Sequence, residues 1–319
     1  MKNLLPFFLI FFTAFLHAQR NDSLYWQKKG NIAFDSSMYA KSIVHYSTAI
    51  LQNPKNVINY ENRGTAKYCL GQYQGAVDDF SSALALVPDD TAAFIGRGKA
   101  EFAMKKFDEA FADYNKAIAL DSLNKEALSC RGMVKDHARQ FDQAIEDYSK
   151  AIRIDPTYAI AYNNLGYTKS ELGLYREAIF CFSQAIRFDP KMEQAYYNRG
   201  SAELNLGNYI EAIADFTRTL KLNRRNNSAY VDRGVAYDAL GYFHKAKRDF
   251  SKAIDLKSTD PVPYSDRGVA YYHHKKYAKA IGDYTKALDL DPDFEKAYLN
   301  RGIARRDFRQ YENAISDFN

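Results

Sequence analysis

The chain has 319 residues, 46% of them apolar and 26% charged, which supplies enough apolar surface for a continuous core and argues against disorder. Its formal net charge of +5 is too weak to imply a nucleic-acid partner without a basic stripe. Length alone suggests two or three globular domains, a prior that fails if the sequence repeats itself.

Residues 1–3 carry one lysine, and residues 4–16 (LLPFFLIFFTAFL) are almost wholly apolar. Leu16-His17-Ala18 then ends in a small residue ahead of Gln19-Arg20. A charged start, a short apolar run and a small residue describe a signal peptide over 1–18, cleaved after Ala18, with a lead-in over 19–22. The apolar run is short beside the ~20 residues that span a bilayer as a helix. No cysteine lies near the junction to carry a lipid. The mature chain is therefore expected to be periplasmic or secreted, without a membrane span. The alternative is retention of the leader as an anchor or a buried helix.

From residue 23 onward one glycine returns at a constant step of 34 residues: Gly30, Gly64, Gly98, Gly132, Gly166, Gly200, Gly234, Gly268 and Gly302. Other residues keep register with it. Four positions before it stand Trp26, Tyr60, Phe94, Leu128, Tyr162, Tyr196, Tyr230, Tyr264 and Tyr298. Nine after it is an aromatic residue in every copy, from Tyr39 to Tyr311. Twelve after it is alanine in all copies but the first, which has Ser42. Sixteen after it is a further aromatic, such as Tyr46, Phe80 or Phe216. Nineteen after it is alanine, with Thr219 as the exception. The copies start near residues 23, 57, 91, 125, 159, 193, 227, 261 and 295.

Each copy reads as two helices. The first runs from the aromatic at minus four past the glycine, and in four copies it ends at a Leu-Gly pair (Leu70-Gly71, Leu172-Gly173, Leu206-Gly207, Leu240-Gly241) suited to a left-handed C-cap. The second carries Ala76, Phe80, Ala83 and Leu84 on one face, the spacing of a half-buried α-helix. Pro54, Pro88, Pro156, Pro190 and Pro292 close five copies. A mid-helix glycine costs about 1 kcal/mol against alanine. Its return implies a close approach of the two helices at the glycine and the alanine, with the aromatics as core around it.

The pattern resembles the tetratricopeptide repeat family, over residues 23–319, and the leader points to an exported bacterial type. The resemblance implies an all-α, right-handed superhelical solenoid of antiparallel helical hairpins, eight complete and one truncated. It also implies a protein-binding groove lined by the first helices.

Where that family usually has leucine before the glycine, seven copies here have arginine: Arg63, Arg97, Arg131, Arg199, Arg233, Arg267 and Arg301. The same seven have aspartate fifteen positions after the glycine: Asp79, Asp113, Asp147, Asp215, Asp249, Asp283 and Asp317. The first copy has Lys29 and His45 instead, and the fifth has Leu165 and Cys181. Both members change together, so we read them as a structural ion pair inside each hairpin, with shared ancestry of the copies as the rival explanation. The three cysteines, Cys69, Cys130 and Cys181, fall at unrelated phases and are expected to be packing thiols, not disulfides.

In the architecture the resemblance implies, the variable groove positions hold nine acidic residues (Asp35, Glu61, Glu126, Asp136, Glu171, Asp232, Asp238, Asp266, Asp307) against Lys28, Lys99, Lys296 and Arg306. Phe34, Tyr68, Phe102, Tyr167, Tyr197 and Tyr272 dot the same positions. Asn62, Asn164, Asn198 and Asn300 would hold ligand backbone, in a row that Gly96 and Cys130 interrupt. Such a groove suits peptide or protein segments that carry basic residues beside apolar anchors. A clamp for a C-terminal carboxylate is not expected, because Ala92 and Gly96 stand where cations would be needed. The rival reading, which the peptide reading edges out, is that these charges keep a broad surface soluble.

No H-E-x-x-H, G-x-S-x-G or phosphate-loop motif is present, so no enzymatic role or cofactor is expected. Cys130, Met133 and His137 share a helix face as soft donors, but ordinary packing is the better reading and no metal is expected. The ninth copy stops just after Phe318. This suggests an arm of a longer protein with a sensory, recruiting or enzymatic domain beyond it, or an end open to self-association. The leading expectation is a non-enzymatic exported scaffold.

Overall fold

A computed structural model of the chain describes residues 22–319; the leader and the junction at Ala18 lie outside the described residues. Eighteen α-helices account for all the regular structure among the described residues. They fall into two compact units that divide after Pro156. The first unit holds α1 (Ser23–Asp35), α2 (Tyr39–Gln52), α3 (Val57–Cys69), α4 (Tyr73–Leu86), α5 (Thr91–Ala103), α6 (Phe107–Leu120), α7 (Lys125–His137) and α8 (Phe141–Ile154). The second holds α9 (Ala159–Glu171), α10 (Tyr175–Phe188), α11 (Glu193–Asn205), α12 (Tyr209–Leu222), α13 (Asn227–Ala239), α14 (Phe243–Leu256), α15 (Pro261–His273), α16 (Tyr277–Leu290), α17 (Glu295–Asp307) and α18 (Tyr311–Phe318). Each odd-numbered helix packs on the even-numbered helix after it, and within a unit each such hairpin packs on the next. Each unit is thus a helical-repeat solenoid.

The first helix of a hairpin begins one turn earlier than the aromatic at minus four suggests. In five of the nine copies a side-chain N-cap marks its start, as where Asp90 accepts from the Ala93 N–H at 3.0 Å, Asn124 from Ala127 at 3.0 Å, and Asn226 from Ala229 at 2.9 Å. It ends on a left-handed residue seven positions after the glycine. Gly71, Gly173, Gly207 and Gly241 fill that place at φ of 74–77°. In the other five copies Ser37, Lys105, Arg139, Lys275 and Arg309 take the same conformation at φ between 56° and 63°. The second helix stops before proline with an extended residue such as Val87 or Asp189, as the ring requires. Asp121 and Asn223 are equally extended ahead of Ser122 and Arg224, so the stop does not depend on proline.

The glycine meets an aromatic ring, not the alanine. A Cβ on Gly132 would lie 2.7 Å from Tyr148, and one on Gly234 would lie 2.7 Å from Phe250. The same ring, sixteen residues on, opposes each glycine of the series. The alanines beside it, such as Ala76, Ala144 and Ala246, have no exposed surface. This set of aromatics is buried from Tyr46 to Tyr284, with Phe318 of the last copy exposed; those at minus four and plus nine are mostly half-buried, Phe243 being a buried exception, correcting the view that all three sets are core. Cys130 and Cys181 are buried free thiols, whereas Cys69 is exposed and does not serve as a packing thiol.

Candidate binding grooves

Seven arginines hold the hairpins in register. Arg131 donates from Nε to Asp147 Oδ2 at 2.8 Å and from Nη2 to Oδ1 at 2.6 Å, joining α7 to α8. Its Nη1 reaches back to Asn115 Oδ1 in α6, at 2.9 Å. Arg63, Arg97, Arg199, Arg233, Arg267 and Arg301 make the same two attachments, to Asp79, Asp113, Asp215, Asp249, Asp283 and Asp317. Their backward partners are Ser47, Ser81, Ser183, Thr217, Ser251 and Thr285. Six of the guanidinium groups also lie within 6 Å of the half-buried ring at minus four, as Arg301 does over Tyr298 at 5.3 Å. In the first copy His45 stacks on Trp26 at 5.4 Å instead. The fifth copy buries Leu165 and Cys181 at the two positions. With every fork engaged inward, these arginines are not a site for an anionic ligand.

In the first unit α3, α5 and α7 border a pocket of about 660 Å³. Glu61, Asn62 and Tyr68 line it from α3, Gly96 and Lys99 from α5, and Glu126 from α7. The floor is the edge of Phe80, which leans on Gly96 where other copies carry a side chain. The Lys99 ammonium pairs with Glu126. Burial, and then the charge and hydrogen bond of Asp90, push the Glu61 carboxyl up to about 7. Phe102 is less a groove residue than a core one, edge-on to Phe107 at 5.3 Å and packed near Tyr114 and Val134. Asp136 accepts from Tyr148 Oη at 2.8 Å, so that acid is committed to its own hairpin. Sequence reasoning missed Phe80, Ile95 and Asp90; the break that Gly96 makes in the asparagine row was the one signal for them.

In the second unit the polar groove residues engage one another. Tyr197 Oη donates to Asp232 at 2.8 Å across successive hairpins, and Tyr272 Oη donates to Asp307 at 2.7 Å in the same relation. Asp238 meets His273 Nδ1 at 2.7 Å. Asn198 donates to Asn163 at 3.1 Å and accepts from Gln194 at 2.8 Å. Asn164 accepts from Asn163 at 3.4 Å, and Asn300 is half-buried on α17. Burial pushes the Asp266 carboxyl up to about 6; Lys296 opposes the shift, and Asp232 and Asp260 add to it. Tyr167, Tyr197 and Asn198 line a smaller pocket of about 270 Å³ between α9 and α11.

Cys130 is enclosed, and burial pushes its thiol up to about 11. His137 stacks on Phe107 at 3.8 Å. Among the described residues no three His, Cys, Asp or Glu side chains are grouped to hold a metal ion. No helix among them is long and apolar enough to cross a membrane.

Stacked two-helix hairpins with a ring seated on each repeat glycine define a helical-repeat protein of the binding-scaffold class. Family models described as tetratricopeptide repeat match residues 61–125, 159–192, 193–226, 228–260 and 261–294, and a model described as TPR repeat matches 140–173. The chain belongs to the tetratricopeptide repeat family. None of the curated proteins matches it. Among solved structures it is similar to the APC/C hetero-tetramer Cut9-Hcn1, at 18% identity and a TM-score of 0.70 over 88% of this chain. It spans about half, 55%, of that relative's chain. A tetratricopeptide repeat protein from Parabacteroides merdae ATCC 43184 is 21% identical with a TM-score of 0.59, over 78% of this chain and 98% of that one. YrrB, described as a TPR protein with an unusual peptide-binding site, is 22% identical with a TM-score of 0.51, over 58% of this chain and 95% of that one. At these identities the likeness is one of fold.

Proposed function

We propose that the chain is a non-enzymatic, exported scaffold that binds segments of other proteins in the grooves lined by its odd-numbered helices. One observation carries the reading. The pocket between α3, α5 and α7 has an apolar floor, a wall on α3 bearing Asn62 and Tyr68, and three carboxylates against one ammonium: Glu61, Asp121 and Glu126 against Lys99. That composition matches a concave site with a few convergent polar groups. The aromatic-dotted pocket in the second unit is a second contact of the same kind, and the fold is shared with a described peptide binder, YrrB. The partners are peptide or protein segments with basic and apolar residues. Export rests on the leader in residues 1–18.

Two measurements test this. A peptide array probed with the mature chain should retain basic-apolar peptides, and Glu61→Lys with Asp266→Lys should weaken that retention about tenfold or more. Equal retention of acidic peptides would refute the groove reading. Mass spectrometry of the chain expressed with its leader should find Gln19 as the first residue in the exported fraction. A chain that stays intact in the cytoplasm would refute export.

A further inference from the structure

We infer that the pocket between α3, α5 and α7 is a two-part subsite, taking a large apolar side chain of a partner segment on the Phe80 floor and an adjacent lysine or arginine at Glu61. The inference rests on the groove reading above and narrows it to a sequence preference. Three observations lead to it.

The first concerns shape. At the position of Gly96 other first helices carry a side chain, as Asn62 does on α3 and Asn198 on α11. Without one, the Phe80 ring, buried but 4% exposed where Phe182 and Phe216 are at 0%, presents an edge to the pocket, and Ile95 and Tyr68 continue the apolar lining. In several other copies the equivalent ring is a tyrosine whose hydroxyl is already engaged: Tyr46 with Asn31 at 2.9 Å and Tyr148 with Asp136 at 2.8 Å. Phe80 has no hydroxyl to satisfy, so its edge offers only apolar contact. The space above it, about 660 Å³, is ample for one large side chain and its backbone.

The second concerns charge. Of the three carboxylates on the lining, Glu126 is already neutralised by Lys99. Glu61 has no cation within ion-pair distance among the described residues; its neighbour is a second carboxylate, Asp90. Two acids side by side in a half-buried position repel, which disfavours the charged form of Glu61 until a cation arrives. An ammonium or guanidinium placed there relieves the repulsion and gains a charge-assisted hydrogen bond. An anionic ligand would meet the opposite balance.

The third concerns contrast. The pocket in the second unit has tyrosine walls and a single carboxylate on its lining, Glu171, so it lacks this paired-acid corner. A charge preference of this kind should therefore belong to the pocket of the first unit and be absent from the pocket between α9 and α11. A metal cation is the weaker fit, because no three ligating side chains are grouped there among the described residues.

The test is fluorescence polarisation of the mature chain with short labelled peptides that carry Phe-Lys, Phe-norleucine, Phe-Glu or Ala-Lys at the centre of an otherwise neutral sequence. Phe-Lys should bind tightest. Glu61→Gln should weaken Phe-Lys about tenfold while leaving Phe-norleucine unchanged. Ala92→Trp, at an exposed lining position, should block both without disturbing the helix signal in circular dichroism. The inference is overturned if Glu61→Gln weakens both peptides equally or neither, or if Ala92→Trp leaves binding intact. Should binding survive Ala92→Trp but be lost in Ser201→Trp in the second unit, the groove reading stands and this assignment falls. If no peptide binds the wild-type chain, both fall.

Discussion

Arg233 and Asp249 are joined by two parallel hydrogen bonds, Nε to Oδ2 at 2.7 Å and Nη2 to Oδ1 at 2.9 Å, across the hairpin of α13 and α14. Asp249 is 4% exposed and no second cation among the described residues reaches it, unlike Asp147, which also meets Lys135. Removing Arg233 alone leaves a buried, unpaired carboxylate. Arg233→Leu should therefore lower stability by about 3–5 kcal/mol. The double change Arg233→Leu with Asp249→Cys, which copies the fifth repeat, should cost less than half of that. Urea unfolding of the three proteins checks this; equal losses in the single and double variants would mean that the pair is not coupled.

The glycine that opposes a ring should not tolerate a methyl group. Gly132→Ala places a Cβ 2.7 Å from Tyr148 Cε1 and is expected to destabilise by about 1–3 kcal/mol, despite the better helix propensity of alanine. Gly282 lies in α16 with nothing within 4 Å of such a methyl. Gly282→Ala is expected to stabilise by about 0.5–1 kcal/mol. Thermal midpoints moving in opposite directions would separate packing from propensity.

Lys105 holds φ at 62° where four other repeats have glycine. A side chain in the left-handed region pays a steric cost that glycine avoids. Lys105→Gly should raise stability by about 0.5–1 kcal/mol, and Gly173→Ala, at φ of 75°, should lower it by about 1 kcal/mol. Denaturant midpoints measure both; a loss on Lys105→Gly would mean that entropy in the unfolded chain outweighs the strain.

Glu101 is 8% exposed and its Oε2 has no partner. Burial, and then the charge of Asp113, push its carboxyl from 4.5 up to about 7, with Arg97 opposing. A carboxyl that binds its proton more tightly when folded supports folding fully below its unfolded pKa, and that support is lost as pH rises through the folded value. Glu101→Gln should therefore raise stability at about pH 8 by on the order of 1 kcal/mol, and with it the melting temperature, and change little at about pH 4. Melting curves across this range check the direction; a variant less stable at the higher pH would show that the ionised carboxylate is a net stabiliser through Arg97.

The period of 34 and the amphipathic spacing of residues such as Ala76, Phe80, Ala83 and Leu84 were enough to set out helical hairpins and their buried faces. That is because helix formation and the choice of inward face depend on neighbours within a few turns, and the repeat states the same choice nine times. The four Leu-Gly helix ends were legible for the same reason, whereas the left-handed Lys105 and Arg139 were not, since nothing in a lysine or arginine announces positive φ. Contacts between hairpins lay beyond such reasoning. The reach of Arg233 Nη1 to Thr217, the meeting of Glu61 with Asp90, and the seating of the Phe80 edge against Gly96 all depend on how one hairpin seats on the next. That seating is the sum of many side-chain contacts from two copies at once, and no single copy of the sequence contains it.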